Sequence, residues 1–101
     1  MSVLIYTKIS GDAATFRKAL TERAAEFDKI SADARTKGAI HHRFGVGDGH
    51  IIIVDEWESA EQFQQFFGNP DLQAFVASAG GDTSRPPEIV VSERVPSSGE
   101  F

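Results

Sequence analysis

His42 and Asp55 are the pair in this 101-residue chain whose types and spacing suit acid–base chemistry. Between them lies Gly47-Asp48-Gly49, and Asp-Gly flanked by alternating apolar residues is a strong hairpin signal. With Asp48-Gly49 as a two-residue turn, cross-strand partners have numbers that sum to 97. Val46 then faces Ile51, Phe44 faces Ile53, His42 faces Asp55 and Ile40 faces Trp57. Side chains alternate along a strand, so these residues share one sheet face. That face is apolar except for His42 and Asp55. An ionisable group buried alone is costly, so the two are expected to find each other or a ligand. A carboxylate beside an imidazole fixes its tautomer and makes it a better base. The pair is therefore either a general-base dyad facing a pocket or a satisfied core histidine.

Other polar residues point elsewhere. His41 and Glu56 are expected to pair on the opposite face, beside Arg43. His41 and His42 are adjacent on a strand, point oppositely and cannot chelate one ion together. With His50 at the turn, no constellation of three metal ligands is legible, so no metal or other cofactor is assigned. The chain has no cysteine, which excludes a thiol nucleophile and a cysteine metal site. It has no G-x-S-x-G elbow, and its Gly45–Gly49 run has no following helix to cradle a phosphate. Trp57 closes the strand and either packs or stacks on a planar ligand. Tyr6 is either a partnered phenol or a proton donor to substrate. Phe44, Phe63, Phe66 and Phe67 are candidates, with Trp57 and Tyr6, to line an aromatic-walled cavity for a small hydrophobic or aromatic ligand.

The elements that must position these residues follow from periodicity. Ser2 to Ile9 alternates and reads as a strand. Asp12 is a fitting N-cap, and from Ala13 to about Lys37 the stripe Phe16, Leu20, Ala24, Phe27, Ile30, Ala34 predicts one helix about 36 Å long, ended by Gly38. Ala39–Val46 and His50–Trp57 read as strands. Ser59 and Gln62 form a capping box ahead of a helix carrying Phe63, Phe66 and Phe67. Asn69-Pro70 starts a second piece, Gly80-Gly81 ends it, and Glu88–Val95 is the last strand. The order β-α-β-β-α-β implies an α+β, ferredoxin-like layer: four antiparallel strands with the helices on one face. The other face, with Leu4, Tyr6, Ile52, Val54 and Val90, is left apolar and bare. A homodimer joined sheet to sheet is expected.

Composition sets the remaining limits. The chain reads as one domain over residues 1–95 with a disordered tail over 96–101. It has 41% hydrophobic residues and a net charge of −5, too apolar for a disordered chain. The acidity argues against nucleic-acid binding. The longest aliphatic run, Ile51–Val54, is far short of the roughly 20 residues of a membrane span. Met1–Ile5 lacks the basic and long apolar regions of a signal peptide, so the cytoplasm is expected.

The run Ile52-Ile53-Val54-Asp55-Glu56-Trp57-Glu58-Ser59, followed by Ala60-Glu61-Gln62-Phe63, Phe66-Phe67, Asn69-Pro70 and Leu72, resembles the dimeric α+β barrel superfamily. In particular it is similar to antibiotic-biosynthesis-monooxygenase-like domains, and the resemblance covers about residues 2–95. It implies a homodimer of ferredoxin-like protomers, each with a cavity between sheet and helices. Members include cofactor-independent oxygenases of polyphenolic compounds, haem-degrading enzymes, isomerases and proteins without known activity. Enzymatic members often carry a histidine on the second helix, where this chain has Phe66, and another after the proline, where it has Asp71. At the Asn, Trp and His of the haem-degrading type stand Thr7, Phe66 and about Val76. The activity that the resemblance implies is monooxygenation of a small aromatic or polyketide-like compound, acting here from His42 and Asp55 on the sheet. The alternative is a non-catalytic dimeric binding or stress-related protein.

Overall fold

A computed structural model describes residues 1–101. Its elements are β1 (Val3–Ser10), α1 (Ala13–Glu22), α2 (Ala24–Thr36), β2 (Ala39–Gly47), β3 (His50–Trp57), α3 (Ala60–Phe67), α4 (Pro70–Ser78) and β4 (Glu88–Glu93). The strands form one antiparallel sheet in the order β2-β3-β1-β4, the ferredoxin-like arrangement, with the helices on one face. β1 shows why. Ile5, Thr7 and Ile9 are buried under the helices, whereas Leu4 and Lys8 face outward with the period of two that a strand imposes. Leu4, Val54 and Val90, each 45–49% exposed, leave the far face of the sheet apolar and uncovered.

The hairpin register agrees with the arithmetic at Gly47↔His50, Val46↔Ile51, Phe44↔Ile53 and His42↔Asp55. The turn itself is not type I′. That turn needs positive φ at both central residues, and only Gly49 has it, at 73°. The register also slips at the far end. Ala39, not Ile40, opposes Trp57, because the strand bulges between Ala39 and His41 and places an extra residue against its partner. β2 is an edge strand, where no second neighbour resists the insertion.

The single long helix expected from Ala13 to Lys37 is two helices. Arg23 leaves helical geometry at φ −119°, ψ 32°. Its guanidinium donates to Ser78 Oγ (2.7 Å), lies 4.4 Å from the centre of the Phe75 ring on α4, and pairs with Glu26. A straight helix of 24 residues would run about 36 Å, whereas a strand of eight residues spans roughly 26 Å, so the break lets the chain follow the sheet. The other boundaries follow local chemistry. Asp12 caps α1 through Ala14 and Thr15 amides, Ser59 caps α3 by accepting from Gln62 N at 3.2 Å, and Asn69 caps α4 with Pro70 in its first turn. Gly38, after α2, adopts φ 118°, and a Cβ there would meet Gln62. Beyond β4 the tail is exposed and lacks regular structure, with a turn at Ser98-Gly99. A hydrogen bond from Arg94 holds the Glu100 carboxyl below its ordinary range. That pairing is complete above the usual carboxylate range and is lost as the pH falls.

The core is in two parts. Ile5, Ala34, Trp57 and Phe63 form one cluster, and Phe16, Ala19, Ile51 and Ala79 form the other. Thr7 lies on the central strand facing the helices, fully buried, and its hydroxyl has no hydrogen-bond partner. A buried hydroxyl without a partner costs about 1–3 kcal/mol. Thr7→Val keeps the shape and removes that cost. We expect it to raise the unfolding free energy by about 1 kcal/mol, or ~4–8 °C in Tm for a domain of this size, in a thermal melt followed by circular dichroism. An unchanged or lower Tm would show that the hydroxyl is satisfied by a bound water or ligand.

Candidate active site

A cavity of about 360 Å³ lies between the sheet and the helices and separates the two core clusters. Eighteen of its 23 lining residues are hydrophobic. Its walls are two groups of aromatic rings. At one end Phe16, Phe27, Phe44 and Phe75 meet edge to face, with centroids 4.9–5.8 Å apart. At the other, Trp57 packs on Phe63 and Phe66, and Phe67 stacks on Phe63 at 5.4 Å. Such arrangements are favourable beyond the area they bury, which is how a domain this small keeps rings together around open space.

His42 and Asp55 span the sheet between those two groups. The imidazole Nδ1 is 2.6 Å from Asp55 Oδ1. A carboxylate only accepts, so Nδ1 carries the hydrogen and the imidazole is left with Nε2 as its free basic nitrogen. The second oxygen, Oδ2, accepts from the Trp57 indole Nε1 at 3.0 Å. Asp55 is 7% exposed and Trp57 1%, while the His42 side chain is 34% exposed. The carboxylate is thus held from both sides within an apolar layer, and the imidazole it orients faces the cavity. His42 also meets the Phe44 ring edge to face at 4.5 Å. A base held in one tautomer on the wall of an aromatic-lined space is equipped to take a proton from a bound phenol or activated C–H.

The cavity brings together His42, Asp55, Phe44, Trp57, Phe63, Phe66 and Phe67. Tyr6 is not among them, contrary to the expectation. It opposes Val54 and Val90 on the uncovered face, because on β1 the even-numbered side chains point away from the helices. His41 opposes Glu56 and reaches it at 3.9 Å, and it also borders the cavity along β2. Ser2 Oγ also donates to that carboxylate, and Arg94 approaches it. Phe16, Phe27 and Phe75, phenylalanines that suit either core or an aromatic cavity wall, also line it, and with them stand Ile30, Ser31, Ala34 and Arg35 of α2 and Leu72 and Val76 of α4, which sequence reasoning missed. For Ile30 and Ala34 the signal is the apolar stripe itself, which does not distinguish core from cavity wall; Ser31 and Arg35 lie beside that stripe and carry no apolar signal. The indole–carboxylate bond was missed too, although Asp55 and Trp57 are two apart on one strand and so share its face.

The fold has clear relatives among solved structures. SnoaB, a cofactor-independent oxygenase from Streptomyces nogalater, superposes with a TM-score of 0.62 at 13% identity, covering 98% of both chains. The monooxygenase ActVA-Orf6 of Streptomyces coelicolor, in complex with Nanaomycin D, gives 0.63 at 21% identity over 95% of this chain and 93% of that one. Rv0793 from Mycobacterium tuberculosis gives 0.60 at 16% identity over 98% and 100%. No protein-family model and no curated protein matches the chain by sequence.

The bonding of Asp55 orders the stabilities of two variants. Asp55→Ala strands the buried Trp57 N–H and frees His42, and we expect it to cost about 2–4 kcal/mol of unfolding free energy. His42→Ala, at a third-exposed position that water can refill, is expected to cost about 1 kcal/mol. Urea unfolding of both variants checks the order.

Proposed function

We propose, from the premise that the chain has the fold of the antibiotic-biosynthesis-monooxygenase-like proteins, that it oxidises a small aromatic or polyketide-like compound with dioxygen. The observation that carries this reading is the Trp57–Asp55–His42 chain of hydrogen bonds ending at an aromatic-walled cavity. Its volume of about 360 Å³ suits a ligand of two or three fused rings.

His42 Nε2 takes a proton from an activated C–H or phenol of the substrate, and Asp55 supports the imidazolium that results. The electron-rich anion left behind is the reductant, and dioxygen the oxidant. Addition of oxygen at carbon gives a peroxide anion, which recovers the proton from His42. Loss of water from that hydroperoxide leaves a carbonyl. One oxygen atom enters the product and the other leaves as water, with both electron pairs supplied by the substrate. The phenylalanines and Trp57 hold the ring and keep water from the anion.

The same cavity supports a second reading, a binding protein without chemistry, because 18 of its 23 lining residues are apolar. No helix is long and apolar enough to cross a membrane. We also assign the uncovered sheet face, with Leu4, Val54 and Val90, to the seam of a homodimer.

Oxygen uptake with anthrone- and quinol-type compounds tests the activity. His42→Ala is expected to lower kcat at least about 100-fold, the range of a lost general base, with the far-ultraviolet spectrum unchanged. Turnover equal to that of the parent protein would remove His42 from the mechanism, and no oxygen uptake by the parent protein would leave binding as the function. For the seam, Val54→Lys places a charge at the centre of the apolar face. Light scattering should then report monomer where the parent chain is dimer.

A further inference from the structure

The cavity opens on one side. Its floor is covered at β1 and β3, where Ile9, Ile51 and Trp57 are all buried. At the edge strand β2 the residues facing it are not covered: Ile40 is 43% exposed and Phe44 36%, with the His42 side chain at 34%. The mouth therefore lies between β2 and the helix beside it, α2.

On α2 the residues lining the cavity fall at spacings of three and four, one stripe of the helix: Phe27, Ile30, Ser31, Ala34, Arg35. The stripe is apolar except for Ser31 and Arg35, which are one turn apart near the C-terminal end of the helix. The other ionisable groups of the lining are accounted for. Asp55 is bonded to His42 and Trp57, and His41 approaches Glu56. Arg35 makes no ion pair. A cation in the last turn of a helix is favoured by the helix dipole. That role is also open to Lys37 at the cap, which pairs with Asp33 at 2.9 Å, and it does not require a cation on the cavity stripe.

The geometry points to a substrate that is an aromatic carboxylate, with its rings between the two groups of aromatic side chains and its carboxylate at the mouth against Arg35, with Ser31 beside it. Guanidinium matches a carboxylate with two parallel N–H donors, which a neutral phenol does not use. A protein of net charge −5 repels anions at long range, so anion selectivity needs such a local cation. This inference rests on the cavity being a ligand site. It adds the charge of the ligand and makes Arg35 a specificity residue.

Equilibrium dialysis with 1-hydroxy-2-naphthoate and 1-naphthol tests it, since both carry the hydroxyl and only the first carries the carboxylate. The parent protein should bind the carboxylate probe about tenfold more tightly, a difference of ~1.4 kcal/mol. Arg35→Gln should abolish that preference and leave 1-naphthol binding unchanged. Arg17→Gln makes the same change in net charge on α1, away from the cavity lining, and should retain the preference. Equal affinities in the parent protein, or a preference that survives Arg35→Gln, would overturn the carboxylate assignment while leaving the cavity a ligand site. Binding of neither probe would overturn both.

Discussion

A carboxylate placed among hydrophobic side chains must be given donors, and Asp55 takes one on each oxygen. Both donors come from the hairpin and its end. Trp57 is two residues along the same strand, and His42 is directly opposite on β2. Any slip of one residue in the β2–β3 pairing would turn His42 to the open face and leave a buried charge half satisfied. The interaction therefore reinforces the register that the hairpin sets, and the register decides which strand residues line the cavity. It does so at modest cost, because His42 remains a third exposed and the pair is not wholly removed from water.

The cavity follows from a shortage of cover. Only 12 of 101 residues are buried, and the buried apolar ones other than Ile9 fall into two clusters instead of one. Aromatic side chains suit such a divided core, since edge-to-face contacts let rings support each other without filling the space between them. β1 and β3 are well covered, whereas on the edge strand β2 Ile40, His42 and Phe44 stay partly exposed. The edge strand is left as the open wall, and the dyad histidine is set there.

How far each part could be read from residues depended on the range of the force involved. The hairpin pairing was legible because strand alternation is strict and Asp48-Gly49 marks the turn. The caps at Asp12, Ser59 and Asn69 were legible because each acts on amides two or three residues away. The break at Arg23 was not, because its cause is distant in the chain: Ser78 and Phe75 on α4 draw the side chain across. The bulge at Ile40 was not either. It is an extra residue that the edge strand admits without breaking the local pattern. Tyr6 has the chemistry of a ligand residue, but its parity on β1 puts it on the open face.

Strand alternation, helix spacing and capping are local, and they alone determined the element order, the ferredoxin-like layer and the facing of His42 to Asp55. The tertiary structure decided that the space beneath the helices stays open, that it opens past β2, and that Ser31 and Arg35 lie on its wall. Whether apolar side chains meet or leave a gap depends on distances between elements. Those distances are set by the bent path of α1 and α2 over the sheet, which no local pattern encodes.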